Sequence, residues 1–331
     1  TAPISGLARV FSSPGPIYEP QAIDEDFWRF KRALYAVGVR QGSLVYNTFS
    51  YHFTPAGFMA DFGARALGCA VFPAGIGQTE LQARTISEIR PDVYTGTPSF
   101  LKILLEKGKE LGLDLSSLKK GIVGGEAFLP AARQLFQEHG IKVCQTYATA
   151  DVGLIAYEIN PDDGLVIDED IFVEIVRPGS NDIVPDGEVG EVVVSMFSSI
   201  YPLIRFGTGD LSTFIPGRSL CGRTNRRLKG WMGRADQTTK VKGMFVHPEQ
   251  INAVIAKHPE ITYARLNVKH DAQQNDMMTL DCEVQSVSEG LEAAIVVSIR
   301  DVTKLRGSVN LVKRETLPRD GKVIDDQRKY D

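Results

Sequence analysis

Cysteine, histidine and unbroken apolar runs are scarce in this chain, and each scarcity removes a class of function. The four cysteines, Cys69, Cys144, Cys221 and Cys282, lie far apart with no CxxC pair. Neither a disulfide framework nor a local zinc knuckle is expected, and free thiols in a reducing compartment are. None of the five histidines stands at ligand spacing from a cysteine or a second histidine. No GxSxG, HExxH or Walker phosphate loop occurs, and no GxGxxG follows the first strand, which argues against a nicotinamide oxidoreductase. The most apolar stretch, 58–76, is broken by Asp61 and Arg65, so no membrane-spanning helix is expected. The first residues, Thr1-Ala2-Pro3-Ile4-Ser5-Gly6, lack a basic start and an apolar run, so no signal peptide is expected and a cytoplasmic location is. Positive charge is not in excess. Lys+Arg number 37 against 41 Asp+Glu, a net charge of −4, which argues against nucleic-acid and anionic-membrane partners.

What is present reads as an α/β protein. A chain of 331 residues suggests two domains at about 150 residues each. From Ser43 to Tyr147 short apolar runs alternate with helical patterns. Strands are expected at 43–49, 69–73, 92–95, 120–123 and 141–146, with helices at 55–67, 79–89, 99–111 and 130–139. That alternation predicts βαβ units and a parallel sheet over about residues 40–150. Near residue 160 the rhythm changes to strands joined by Pro, Gly and Asp turns (171–176, 191–195, 201–206). Over about 160–220 these predict a small β-barrel or sandwich. Arg223 to Arg234 reads as a basic linker. After it come a hairpin, a helix, two strands, a helix and a strand, which suit a small α+β domain with two helices on one face of a sheet.

Several turns carry residue types that suit ligand chemistry. Gly124-Gly125-Glu126 falls between a strand and a helix, where backbone can approach a planar or anionic ligand at the carboxyl end of a parallel sheet. A tight βα turn accounts for it equally well. Tyr147-Ala148-Thr149-Ala150-Asp151 ends the next strand, with an aromatic ring that can stack on a base and a carboxylate that can hold Mg²⁺, although an ordinary surface turn has the same composition. Asp210 follows Gly207-Thr208-Gly209 at an expected strand end, where a carboxylate can accept two hydrogen bonds from a vicinal diol. Lys322 lies on a polar tail and His52 follows the first clear strand; a solvated lysine and a rim aromatic cluster are the plain alternatives. Phe49, Tyr51, Phe53, Phe58 and Tyr94 suit either an aromatic pocket or the core.

The order of these motifs carries more than any one of them. Gly-Gly-Glu (124–126), Tyr-x-x-x-Asp (147–151), Gly-Glu-Val-Gly-Glu (187–191), Arg-x-Gly-Thr-Gly-Asp (205–210), Gly233-Arg234-Ala235-Asp236-Gln237 with Lys242-Gly243, and a terminal Leu-Pro-x-x-Gly-Lys ending at Lys322 resemble the adenylate-forming, AMP-binding superfamily. Tyr201–Asp210, Cys221-Gly222-Arg223-Thr224 and Val323-Ile324-Asp325-Asp326 resemble its phenylacetate–CoA ligase branch. The resemblance implies a large domain over 1–235, with a parallel βαβ sheet plus a small β-barrel, and a mobile α+β lid domain over 236–331. It implies an ATP-dependent ligase that forms an acyl-adenylate from an aryl carboxylic acid and then the coenzyme A thioester.

The same resemblance implies roles residue by residue. Gly125, Glu126 and Ala127 would line the adenine, and Tyr147, with Ala148 beside it, would stack on it. Asp151 stands where the family has a glutamate near Mg²⁺. Asp210 would hold the ribose hydroxyls with Arg234 assisting, and Asp236 would be the hinge between the two half-reactions. Lys242 and Gly243 would lie in the loop presented for thioester formation, Lys322 would reach the α-phosphate, and His52 with Tyr51 would form the gate beside the acyl pocket. The partners implied are an aryl carboxylic acid, ATP and CoA, and a homodimer is compatible with the family. Two features depart from the pattern. In the phosphate loop, Ser12, Ser13 and Gly15 remain, the threonine pair and lysine are missing, and Glu19 brings negative charge. Ala150 stands where the family has a hydroxyl. The chain also starts close to that loop without Met, which reads as a trimmed chain lacking the family's preceding segment. The alternative implied is a relative with a non-CoA acceptor or impaired catalysis.

Overall fold

The computed structural model describes residues 3–13, 17–161, 163–178, 180–235, 237–285, 290–319 and 322–328. The chain divides after Met232 into two compact units. The first opens with a hairpin, β1 (Leu7–Ser13) and β2 (Ile17–Ala22), followed by α1 (Lys31–Val37) and β3 (Leu44–Asn47). Then come α2 (Ala56–Ala66), β4 (Ala70–Pro73), α3 (Thr79–Ile89), β5 (Val93–Gly96), α4 (Pro98–Glu110), β6 (Lys120–Val123), α5 (Pro130–Glu138) and β7 (Lys142–Thr149). The antiparallel region holds β8 (Gly153–Glu158), β9 (Leu165–Ile167), β10 (Ile171–Val176), β11 (Gly190–Met196), β12 (Leu203–Ser212), β13 (Phe214–Ile215) and β14 (Arg227–Leu228).

Nine of these strands form one sheet in the order β13-β14-β9-β8-β7-β6-β5-β3-β4. From β4 to β7 every pairing is parallel. Val45, Tyr46, Val93, Tyr94 and Ile122 are fully buried because helices cover both faces. Local chemistry sets the helix starts. Thr97 caps α4, its hydroxyl accepting from the Phe100 amide at 3.3 Å, with Pro98 at the first helical position. The helices expected at 79–89 and 130–139 form at Thr79–Ile89 and Pro130–Glu138.

Beyond β7 the sheet turns antiparallel, and β10-β11-β12 form a separate three-stranded sheet. Ile171, Val173, Ile175, Val192 and Val194 pack there with Ile155, Leu165 and Ile167 from the extended main sheet. Of the two alternatives expected there, a small β-barrel or a sandwich, the two-layer sandwich forms. The physical reason is that β8, β9, β13 and β14 continue the large sheet and leave only three strands for the second layer. The expected linker is corrected. β14 pairs with β9, and Arg227 lies buried with its guanidinium on the Asp163 carboxylate and its second nitrogen donating to the carbonyls of Pro216 and Gly217 at 3.2 and 3.1 Å.

The second unit contains a hairpin, β15 (Thr239–Val241) and β16 (Met244–Val246), then α6 (Pro248–Ala256), β17 (Ile261–His270), β18 (Asp276–Val284), α7 (Leu291–Thr303), β19 (Ser308–Val312) and β20 (Ile324–Asp326). Its four-stranded sheet runs β19-β18-β17-β20. Ile251 and Val254 of α6 and Ile295 and Ile299 of α7 share a core with Leu266, Val268, Leu280 and Cys282, so the expected α+β arrangement forms. No helix among the described residues is long and apolar enough to cross a membrane. All four cysteines are free thiols, and burial pushes those of Cys144 and Cys282 up to about 11 and about 12.

One buried charge cluster ties the segment before α1 to the antiparallel extension. Asp168, fully shielded, accepts from Arg29 at 3.0 Å and from Arg32 at 2.9 Å, while Arg29 also donates to the carbonyls of Val152 and Leu154 at 2.7 and 3.0 Å. Replacing Asp168 by Ala strands the Arg29 guanidinium, and breaking such a pair costs about 3–5 kcal/mol. Urea unfolding of Asp168→Ala is expected to read a loss in that range; a loss below about 1 kcal/mol would mean that water reaches Arg29.

Candidate active site

The motif residues of the first unit gather at the carboxyl ends of the parallel strands. Gly124 follows β6, and a Cβ there would stand 2.7 Å from the Thr146 hydroxyl, so only glycine lets the loop lie against β7. Its amide donates to the Gly96 carbonyl at 3.2 Å. Glu126, half-buried, accepts from the Ser99 amide at 2.6 Å, placing its carboxylate on the first turn of α4. Gly125 is exposed, and Ala127 is half-buried beside Glu126.

Two bulges bring Tyr147 and Asp210 together. The register of β7 against β8 slips between Tyr147 and Ala148, which re-aims the tyrosine. In β12, Gly207 pairs with Val193 but Leu211 pairs with Glu191, so Thr208-Gly209-Asp210 bulge out opposite Val192. Gly209 takes φ +71° there, a conformation glycine reaches without steric cost. The Glu191 carboxylate accepts the Gly209 amide at 3.1 Å, and the Thr208 hydroxyl donates to the Val192 carbonyl at 2.8 Å. The result is a short contact: the Tyr147 hydroxyl donates to Asp210 Oδ2 at 2.8 Å, while the Trp231 indole donates to Oδ1 at 3.0 Å. Asp210 thus lies inside β12, which corrects the expected strand-end turn. Trp231 was missed because Arg223–Arg234 read as a linker; the glycine and tryptophan following Lys229 were the available signal.

The hairpin β1–β2 carries the segment that the resemblance aligns with a phosphate loop. Ser13 donates its hydroxyl to Glu19 Oε1, whereas Glu19 Oε2 is buried and finds no hydrogen-bond partner among the described residues. Glu19 is 2% exposed. Burial raises its pKa, and the charge of Asp151 raises it further; burial likewise raises that of the half-buried Asp151. Tyr201 feels both carboxylates. Two hard oxygen donors within electrostatic reach, one of them unsatisfied, fit a small divalent cation such as Mg²⁺. Ser12 fastens this hairpin to the next loop, its amide donating to the Phe53 carbonyl at 2.9 Å. That loop carries His52, exposed, and Tyr51, whose hydroxyl donates to Asp61 at 3.0 Å and accepts from Asn47 at 2.7 Å. Of the aromatic set, Tyr94 belongs to the core, its hydroxyl in contact with Thr48 and the Thr97 carbonyl, and Phe53 is exposed.

In the second unit, Lys242 (φ +49°) and Gly243 form the exposed tip of the β15–β16 hairpin, and the Lys242 amide donates to Asp276 at 2.7 Å. The Arg234 guanidinium lies over the Phe245 ring, and Lys322 pairs with Asp325 at 3.4 Å. Gly15 and Asp236 lie outside the described residues.

This sheet, with its ligand-facing loops at the carboxyl strand ends, is matched by a family model. Residues 28–198 match the AMP-binding enzyme family. The phenylacetate–coenzyme A ligase of Aromatoleum evansii is 32% identical over 298 residues, covering 85% of this chain and 67% of that protein. The phenylacetate–coenzyme A ligase of Thermus thermophilus is 31% identical over 274 residues, covering 78% and 62%. The chain thus spans about two thirds of the length of these curated relatives. A 2-hydroxyisobutyryl-CoA ligase, solved with 2-HIB-AMP and CoA in the thioesterification state, superposes with a TM-score of 0.81 at 22% identity over 99% of this chain and 76% of that one. The chain belongs to the AMP-binding enzyme family. Within it, the chain is similar to phenylacetate–coenzyme A ligases.

The raised pKa of Glu19 makes a stability prediction whose sign follows from proton linkage. The folded state holds the proton to higher pH than the unfolded chain, so this contribution is full below the ordinary glutamate range and is lost as pH rises through the folded value. Relative to Glu19→Gln, the wild type is expected to lose melting temperature steadily from pH 4 to pH 8. A constant offset across that range would show Glu19 to be solvated.

Proposed function

We propose that this chain is an AMP-forming acid–CoA ligase that activates an aryl, phenylacetate-like carboxylic acid as its acyl-adenylate and then transfers the acyl group to coenzyme A. The observation that carries the reading is the convergence of the Tyr147 ring and the Asp210 carboxylate beside Gly124-Gly125-Glu126 at the carboxyl edge of the sheet. An aromatic ring beside a carboxylate suits a base and a vicinal diol, and relatives named as phenylacetate–coenzyme A ligases point to the acid and the thiol.

In the first half-reaction a carboxylate oxygen attacks the α-phosphorus of ATP; the new O–P bond forms as the bond to the bridging oxygen breaks and pyrophosphate leaves. In the second, the thiolate of CoA attacks the acyl carbon, and AMP leaves with the electron pair of the broken C–O bond. Both first-step reactants are anions, so what this chain contributes is alignment and charge balance. Tyr147, Gly125, Glu126 and Ala127 hold the base, Asp210 the ribose, and Lys322 supplies positive charge at the α-phosphate. Arg234 assists at the ribose, Lys242-Gly243 serves the thioester step, and Asp236 is the hinge. Tyr51, braced by Asn47 and Asp61, fixes the loop that carries His52 at the mouth of the acyl pocket. Asp151 and Glu19 are the groups that would hold Mg²⁺, which when bound offsets triphosphate charge.

The buried carboxylate of Glu19 favours a second reading, a relative with impaired ATP turnover or a non-CoA acceptor, because it adds negative charge to the loop that faces triphosphate in the family. Acid-dependent ATP–pyrophosphate exchange over aryl acetates, benzoates and fatty acids, without CoA, decides between them. Exchange with aryl acetates is the expected result; silence with nucleotide still bound supports the second reading. Lys322→Ala is expected to lower adenylation by about 10²–10³-fold, the cost of one charge-stabilising donor, while thioester formation from preformed acyl-AMP stays within a few-fold. Equal loss in both steps would remove the assignment of Lys322 to the α-phosphate.

A further inference from the structure

Resting on the reading that Asp210 takes the ribose, we propose that Trp231 is a positioning residue that makes the nucleotide site selective for the ribose 2′-hydroxyl. A carboxylate turns readily about its terminal torsion, and a freely turning one meets a diol in few of its orientations. Here each oxygen receives a hydrogen bond from an aromatic residue: Tyr147 donates to Oδ2 at 2.8 Å and the Trp231 indole to Oδ1 at 3.0 Å. Together they fix the plane of the carboxylate. The Tyr147 hydroxyl also lies 3.2 Å from the Thr208 hydroxyl oxygen, so the bulge that displays Asp210 is in contact with its partner.

The indole is as firmly mounted as the carboxylate. The segment 229–232 runs beside the end of β12, with Lys229 donating to the Thr213 carbonyl at 2.9 Å, Met232 to the Leu211 carbonyl at 2.9 Å, and the Ser212 hydroxyl to the Gly230 carbonyl at 2.7 Å. Three bonds thus lock the backbone around Trp231 to the strand that bears Asp210. Arg227, buried on Asp163, anchors the same segment four residues earlier. Indole N–H is a donor only, so it holds an acceptor oxygen in place without competing for the diol hydrogens. A pre-set pair of acceptors rejects a sugar that lacks one hydroxyl more sharply than a mobile pair does, because the unmatched oxygen cannot turn away.

The test is equilibrium binding of AMP and 2′-deoxyAMP to the whole chain, comparing wild type, Trp231→Phe and Asp210→Asn, with unfolding midpoints measured alongside. Trp231→Phe keeps an aromatic ring and removes the donor. Wild type is expected to prefer AMP by about tenfold or more, and Trp231→Phe to weaken AMP about five- to tenfold while leaving 2′-deoxyAMP nearly unchanged. A merely structural role would weaken both nucleotides alike. In the wild type itself, the indole N–H resonance of Trp231 is expected to move on addition of AMP and to move less with 2′-deoxyAMP, a readout that needs no variant. Full preference in Trp231→Phe, with Asp210→Asn having lost it, overturns the role of Trp231 alone. Equal binding of both nucleotides by wild type, with Asp210→Asn neutral, overturns the ribose assignment and the role of Trp231 together.

Discussion

The hydrogen-bonding of β7 is the constraint on which the arrangement of the first unit depends. One edge pairs in parallel with β6 and the other antiparallel with β8. Parallel neighbours require helical crossovers, so everything before β7 is βαβ and presents its loops at the carboxyl ends of the strands. The antiparallel edge requires no crossover, so the chain returns at once and builds a second layer beside those ends. The juxtaposition of the Gly124-Gly125-Glu126 loop and a β-bulge follows from that change of direction. Tyr147 sits at the change itself and touches the layer it creates, through Asp210.

The parallel half was the most legible part of the sequence. Its central strands β3, β5 and β6 are buried on both faces and read as short continuous apolar runs, and α4 and α5 carry Pro98 and Pro130 at their first positions. The antiparallel half was legible as strands but not as topology, since a run of strands with short turns does not say which sheet each joins. β8 is buried along its whole length, but its Gly-Leu-Ile-Ala-Tyr-Glu sequence alternates no more than a buried helix would. The hairpin β1–β2 was missed because Pro14, Gly15, Pro16 and Pro20 dominate its composition and point to loop. Asp210 illustrates a different limit. Its residue type suggested a carboxylate for a vicinal diol, but the expected strand end is a bulge held by the Glu191 side chain, and no local pattern encodes a support nineteen positions away.

Buried charge distinguishes structural from chemical roles across this unit. Asp168 has two guanidinium partners, and Glu158 has Arg133 at 2.9 Å; such satisfied pairs hold segments together. Glu19 is just as buried, but among the described residues no cation pairs with it: the Ser13 hydroxyl donates to Oε1, and Oε2 has no hydrogen-bond partner there. An uncompensated buried carboxylate is resolved by taking up a proton or by meeting a cation. Both outcomes change the local charge where the sequence has lost the lysine of the family's phosphate loop. The hairpin is therefore organised differently from a loop that meets triphosphate with basic and hydroxyl side chains.

That difference bears on how the two ends of the nucleotide are held. The end that the proposed function assigns to the ribose is built from short, mutually supporting bonds: Tyr147 and Trp231 on Asp210, Thr208 on Val192, Glu191 on Gly209. The end facing the hairpin offers carboxylates and a serine, with no lysine or arginine in the loop sequence itself. On the proposed function, binding energy in such a site would be concentrated on base and sugar, which stay bound through both half-reactions and leave as AMP. Interactions common to substrate and product lower the Michaelis constant without speeding the chemical step. Acceleration of adenylation must then come from groups that reach the α-phosphate only in that step. On the proposed function, the charge assigned to Lys322 would then carry a larger share of adenylation than it would beside a phosphate loop that brings its own lysine.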